Sequence, residues 1–165
     1  MDYQGLIDRS RTIYRRSDVT PIFAHPAAFA ALVEDLVRPF VDAQVGQVAG
    51  LDALGFILGT AVALRLKAGF IPVRKGGKLP VAHDSETVTD YSGKAKTLEL
   101  RTNPFPPGTK VLLVDEWVDT GAQAKAAIAL IERAGGVVVG IASVTIRENP
   151  GTAELKAKYR CHSVV

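Results

Sequence analysis

The chain predicts an α/β domain built on a central, largely parallel sheet flanked by helices. The run "VLLVD" (111–115) lacks the alternation of a half-exposed strand and reads as a strand buried on both faces. Strand-like and helix-like stretches take turns along the chain, the pattern of βα units. A length of 165 residues suits a single domain, 1–165, whose core holds without staples.

Taken in order, residues 25–43, "HPAAFAALVEDLVRPFVDA", place Phe29, Leu32, Val33, Leu36 and Val37 at helical spacing. "QVAGL" (47–51) is a short strand. Asp52 then stands where a helix N-cap belongs, ahead of the mostly apolar helix 53–67. "GFIPVRK" (69–75) reads as a second strand. Residues 76–96 have little periodicity and read as a long loop or a mobile hairpin; in a compact domain such a loop is more often functional than accidental. The turn-rich "TNPFPPGTK" (102–110) leads into the 111–115 strand. The next helix, roughly 120–134, sets Ala124, Ala127, Ile128 and Ile131 on one face. Gly135-Gly136 ends it, and "VVVGIASVTI" (137–146) is the next strand. The tail, 147–165, is polar until "CHSVV", a final strand or a cap.

Hydrophobic residues at 47% and charged residues at 22% give a globular balance without disordered bias. No apolar run approaches the roughly 18–20 residues that span a bilayer. The opening "MDYQGLIDRSRTIYRR" lacks the apolar centre of a secretory signal, so no membrane partner is expected. A single cysteine, Cys161, rules out an internal disulfide and makes a cytoplasmic setting the expectation. A net charge of +3 is too small to argue for nucleic acid as a partner. His25, His83 and His162 lack metal-ligand spacing with Cys161, so no protein metal cage is expected.

The chemistry concentrates in "VLLVDEWVDTGAQ" (111–123), where Asp115, Glu116 and Asp119 follow the apolar run. Ligands of open α/β sheets bind beyond the carboxyl ends of the strands. Residues 119–123 would turn into a helix, whose free N–H groups and dipole favour a phosphate. Carboxylates there would repel a bare phosphate. They suit a ligand carrying both a phosphate and neutral hydroxyls, as a ribose 5-phosphate does.

This stretch resembles the phosphoribosyl-pyrophosphate (PRPP) motif of type I phosphoribosyltransferases: four apolar residues, two acids, then a Thr-Gly phosphate loop. "SDVTPIFAHPAAF" (17–29), "VAGLDALGFILG" (48–59), "IPVRKGGKLP" (71–80) and "DYSGKA" (90–95) are similar to adenine phosphoribosyltransferases at matching intervals. The resemblance implies the type I phosphoribosyltransferase fold, with a small hood from about 1–24 and 147–165 and a flexible lid over about 76–96. It implies transfer of the 5-phosphoribosyl group from PRPP to a purine base, adenine before others, giving AMP and pyrophosphate in nucleotide salvage. It further implies Mg²⁺ carried by the pyrophosphate rather than by protein ligands, and a homodimer.

By position, the resemblance gives Asp115 and Glu116 the ribose hydroxyls and Thr120, Gly121, Ala122 and Gln123, with Asp119, the 5-phosphate. Backbone N–H groups of Asp52, Ala53 and Leu54 would hold the pyrophosphate, assisted by Arg74 and Lys75, with Tyr91 and Ser92 reaching from the lid. In this family such a basic residue can come from the partner of a dimer. Asp90 is a further candidate near the ribose, whereas Asp84 and Glu86 read as surface charge. Asp119 stands where adenine enzymes carry Ala; the order "VDTG" (118–121) resembles 6-oxopurine enzymes, in which this Asp faces N7 of the base as a general acid or base. Its plainer role is a helix N-cap. Trp117 would stack on the base, and Tyr14 in "YRRSD" is the aromatic candidate for the opposite face.

Three departures stand out: Leu54 where the family usually has Arg, Glu116 where it has Asp, and Ala122-Gln123 where it has Gly followed by Thr or Ser. Ala122 narrows the backbone where glycine tolerates positive φ, and the Gln123 amide can replace a lost hydroxyl. Two rival functions follow: a 6-oxopurine phosphoribosyltransferase, favoured by Asp119, and a non-catalytic PRPP or nucleotide sensor on the same fold, favoured by Leu54 and the altered loop.

Overall fold

The computed structural model describes residues 1–9, 17–89 and 93–165. Helices α1 (Thr20–Ala24) and α2 (Pro26–Val37) precede strand β1 (Gln47–Leu51), helix α3 (Leu54–Leu66) and strand β2 (Gly69–Lys75). Strands β3 (His83–Thr89) and β4 (Ala95–Arg101) form a hairpin. Then come β5 (Lys110–Val118), α4 (Ala122–Arg133), β6 (Val137–Ile146), α5 (Pro150–Lys158) and β7 (Cys161–Ser163). They make one seven-stranded sheet in the order β3-β4-β2-β1-β5-β6-β7. The run from β2 through β7 is parallel at every pairing, and only the β3–β4 hairpin is antiparallel, to itself and to β2.

The strand β5 explains its own apolar run. Leu112 and Val114 face a cluster with Leu32, Leu36, Phe40, Leu58 and Val62 of the α2–α3 side. Val111 and Leu113 face a second cluster with Ala127, Leu130 and Ile131 of α4 and Leu155 of α5. Each residue of the run is fully buried, so neither face tolerates a polar side chain until Asp115.

Three expectations are refined. Of the two readings of residues 76–96, the hairpin is the one found: β3 and β4 pair along seven residues from His83↔Arg101 to Thr89↔Ala95. The sequence leaves the choice open because β3 lies at the sheet edge and buries no residue, so no apolar period marks it. Glu86, read as surface charge, accepts from Arg133 Nη2 at 2.6 Å and ties the hairpin to the end of α4. The tail contains a whole helix, α5. It buries only Thr152 and Leu155 and therefore lacks an apolar stripe, though Asn149-Pro150 is a readable start signal.

Both termini fold back on the body. Tyr3 Oη donates to Asp35 Oδ2 of α2 at 2.5 Å, and its phenol is pushed above its ordinary range by burial first and by that carboxylate second. Asp8 and Asp18 exchange backbone hydrogen bonds, and Val165 N–H donates to Val144 O.

Candidate active site

The carboxyl ends of β1 and β5 lie side by side, and two loops leave from them. The first is the β1–α3 turn. Asp52 does not cap α3: the N-cap is Ala53 and no side chain accepts there. The Asp52 side chain is instead only 5% exposed, with Lys75 Nζ at 3.7 Å and Lys78 Nζ at 3.5 Å. The Asp52–Ala53 peptide is cis. Leu54 opens the helix and packs its side chain on the α2–α3 cluster. Thus the turn lacks an arginine of its own but has two lysines beside it, of which Lys78 is not identifiable from local pattern.

A buried acid organises that basic segment. Glu99 on β4 is 5% exposed and accepts from the backbone N–H groups of Gly77 (2.6 Å), Lys78 (3.3 Å) and Leu79 (3.3 Å). The Gly77 N–H, foremost, holds its carboxyl below the usual range; burial opposes this, and the other two N–H groups and His83 add to it. Arg74 Nη1 donates to Lys78 O at 3.1 Å across the same turn. Glu99 therefore shapes the turn that carries Lys78.

The second loop is the bend from β5 into α4. Strand β5 runs on to Val118, so Asp115 sits within the pleat rather than after it, paired with Ser143 of β6. Asp115 is 8% exposed, and its Oδ1 accepts from Glu116 N–H at 2.9 Å. Gly55 of α3 packs against it: a Cβ at Gly55 would lie 3.3 Å from Asp115 Oδ1 and 2.9 Å from Val114 O. Helix α4 has Gly121 as its N-cap, at φ 83°, and no side-chain cap. Positive φ thus falls on the glycine, while Ala122 is already helical, so the backbone cost expected at Ala122 does not arise. The first turn has no N-cap side chain, and its Ala122 N–H donates to Thr120 Oγ1 only at 3.3 Å, so the helix end faces the recess.

A small recess opens over this bend, lined by Asp115, Trp117, Asp119, Thr120, Gly121 and Gln123 with Val118 and Ala124. Glu116 is half-buried and does not line it. Asp119 is not an N-cap either. Its Oδ1 lies 3.0 Å from Arg147 Nη1, and the Arg147 guanidinium sits 5.8 Å from the Trp117 ring centroid. Trp117 also walls a second, open recess with Ile7, Arg9 and Ser17 from the N-terminal segment and Thr145, Arg147 and Val165 from the C-terminal one. One face of the indole is therefore occupied by Arg147, a residue no motif marked. The indole Nε1 is buried without a hydrogen-bond partner among the described residues. Tyr14, Asp90, Tyr91 and Ser92 lie outside the described residues.

The arrangement offers an amide-lined anion site, a buried carboxylate beside it, a lysine-flanked turn and an indole-walled recess. Comparison with known proteins gives the family. The phosphoribosyl transferase domain family matches residues 18–165. An adenine phosphoribosyltransferase of Dinoroseobacter shibae is 52% identical over 128 residues, 76% of this chain and 69% of that protein. One from Thermobifida fusca is 44% identical over 124 residues, 75% of this chain and 70% of that protein. The crystal structure of adenine phosphoribosyltransferase from Rhodothermus marinus superposes with a TM-score of 0.89 at 36% identity, covering 98% of this chain and 94% of that one. The Saccharomyces cerevisiae enzyme, complexed with an imino-altritol bisphosphate and adenine, superposes with a TM-score of 0.88 at 26% identity, covering 99% and 97%. The chain belongs to the phosphoribosyltransferase family, among its adenine phosphoribosyltransferase-like type I members.

Proposed function

We propose that the protein transfers the 5-phosphoribosyl group of PRPP to adenine, forming AMP and releasing pyrophosphate. The observation that carries the proposal is the uncapped N-terminus of α4 opening beside Asp115 in one recess. The first-turn N–H groups and the helix dipole bind the 5-phosphate, and Gln123 adds its amide. Asp115, with Glu116 from the neighbouring position, accepts hydrogen bonds from the ribose hydroxyls. The backbone of Asp52, Ala53 and Leu54, flanked by Lys75 and Lys78 with Arg74 behind, receives the pyrophosphate. Tyr91 and Ser92, outside the described residues, are the contacts that the resemblance assigns to the lid.

The reaction forms a bond from N9 of the base to C1 of the ribose and breaks the bond from C1 to the pyrophosphate oxygen. Positive charge develops on the sugar in between. Preset carboxylates stabilise that charge and preset cations stabilise the leaving group, so catalysis is positioning and electrostatics. Adenine lies against the free side of Trp117, with Tyr14 as the aromatic of the opposite face, and Asp119 takes up the proton that the base releases. The lysines beside Asp52 suit a polyanion better than a bare cation, so a metal fits here mainly as part of the substrate. Mg²⁺ bound to PRPP supplies charge neutralisation on the departing pyrophosphate, and Asp115 and Glu116 are the carboxylates that would steady it.

The hood of 1–24 and 147–165 covers the base, and the enzyme works as a homodimer in the cytoplasm, a setting that the free Cys161 suits. Ile57 and Leu64, 45% and 75% exposed at helical spacing on α3, favour a second copy as the cover of that face. The Asp119–Arg147 pair on the base side favours, as a second reading, a 6-oxopurine acceptor. Incubation with PRPP, Mg²⁺ and adenine, hypoxanthine, guanine, xanthine or a pyrimidine separates these. Pyrophosphate release with adenine is expected. Release with a 6-oxopurine alone moves the assignment, and PRPP binding without release on any base makes the protein a sensor.

A further inference from the structure

The bend that opens the phosphate recess is held from outside its own strand and helix. Arg147 N–H donates to Val118 O at 2.9 Å. Arg147 Nη1 meets Asp119 Oδ1 at 3.0 Å, and Asn149 Nδ2 donates to Asp119 O at 2.6 Å. Gly151 comes so near that a Cβ there would lie 2.2 Å from Thr120 O. Successive peptide units of the bend thus rest on residues 147–151. Within α4 itself little fixes their direction, since the helix has no side-chain cap and Thr120 Oγ1 accepts from Ala122 N–H only at 3.3 Å.

Asn149 serves two structures at once. Its Oδ1 accepts from Thr152 N–H at 3.1 Å, and its own N–H donates to Thr152 Oγ1 at 3.1 Å, which closes a capping box at the start of α5. Thr152 is fully buried, and its Oγ1 donates to Arg147 O at 2.6 Å, locking the box to the end of β6. The amide oxygen of Asn149 therefore caps a helix while its amide nitrogen holds the bend.

We propose that Asn149 is a positioning residue for phosphoryl binding: its Nδ2–H, anchored by the α5 capping box, presets the 119–121 bend so that the α4 amides face the 5-phosphate before ligand arrives. The inference rests on reading 119–123 as the 5-phosphate site. A bend left free would have to be ordered on binding, which weakens affinity. Gly151 belongs to the same device, because only a residue without a Cβ lets α5 approach Thr120 this closely.

Asn149→Asp separates the two roles. A carboxylate caps as well as an amide and suits a helix N-terminus, but it has no N–H for Asp119 O and would repel it. Trp117 is the sole tryptophan and lines the recess, so its emission reports ligand entry. Asn149→Asp is expected to melt between the wild type and Asn149→Ala, to weaken ribose 5-phosphate binding and raise KM for PRPP roughly tenfold, and to lower kcat less than that. Asn149→Ala loses the cap as well and melts earlier. Gly151→Ala, which pushes on the Thr120 carbonyl, must weaken ribose 5-phosphate too.

Wild-type affinity in Asn149→Asp or in Gly151→Ala overturns the proposal. So does an Asn149→Asp that melts as early as Asn149→Ala, because the loss then reports the cap alone. A wild-type chain whose Trp117 responds to neither PRPP nor ribose 5-phosphate overturns the parent reading, and the inference with it. Only that last result touches both.

Discussion

Asp119 has its carboxylate on Arg147 and its carbonyl on Asn149, so its place is set before any ligand arrives. An N-cap would have left the side chain turned back on its own helix; the ion pair instead turns it toward the indole side of the recess. Asp119→Asn keeps the shape and removes the charge. It is expected to lower kcat by roughly 10²-fold, the usual worth of a general acid or base, while KM for PRPP changes little. Steady-state kinetics with PRPP varied at saturating adenine check this, and equal loss in both constants would reduce Asp119 to a brace. Asn149→Asp is expected to show the opposite split, which makes the two neighbours distinguishable by kinetics.

Glu99 acts on the β2–β3 turn as a unit, gathering three consecutive N–H groups that would otherwise point at solvent. Its carboxyl is held below the ordinary value of about 4.3. A depressed folded pKa contributes stability that is fully present above the ordinary value and is lost as pH falls through the folded one. Glu99→Gln should therefore melt earlier than the wild type at neutral pH, with the gap closing as pH drops below about 4. Melting curves between acid and neutral pH read this directly; a gap that is constant with pH would mean that the carboxylate charge does not hold the turn. Because the turn carries Lys78, the same variant is expected to bind pyrophosphate more weakly at neutral pH. Strand β3 and helix α5 leave no apolar period in the sequence for one reason. Both bury few residues, so their stability comes from partners elsewhere, β4 and α4 for the strand and the 118–121 bend for the helix.

Across the molecule, the sheet places the β1 and β5 ends together while α3 turns an apolar stripe, Ile57 and Leu64, toward the outside. A helix buried on one side gains nothing from such residues on the other unless something covers them. Leu64→Glu is expected to leave the fold intact and to convert the proposed homodimer to a monomer, measured by sedimentation at several concentrations. A wild type that sediments as a monomer would discard the dimer.

The sequence by itself determined the doubly buried strand at 111–115, the helices that flank it and the acid-then-Thr-Gly order of the site, because each is written in contiguous residues whose burial or turn chemistry is local. It did not determine that Asp52 pairs with lysines instead of capping, that Arg147 lies over Trp117, or that Asn149 steadies a bend thirty positions away. Those contacts join residues far apart in the chain. Only the parallel sheet, by bringing the ends of β1, β5 and β6 to one edge, sets the charges and donors close enough to choose partners.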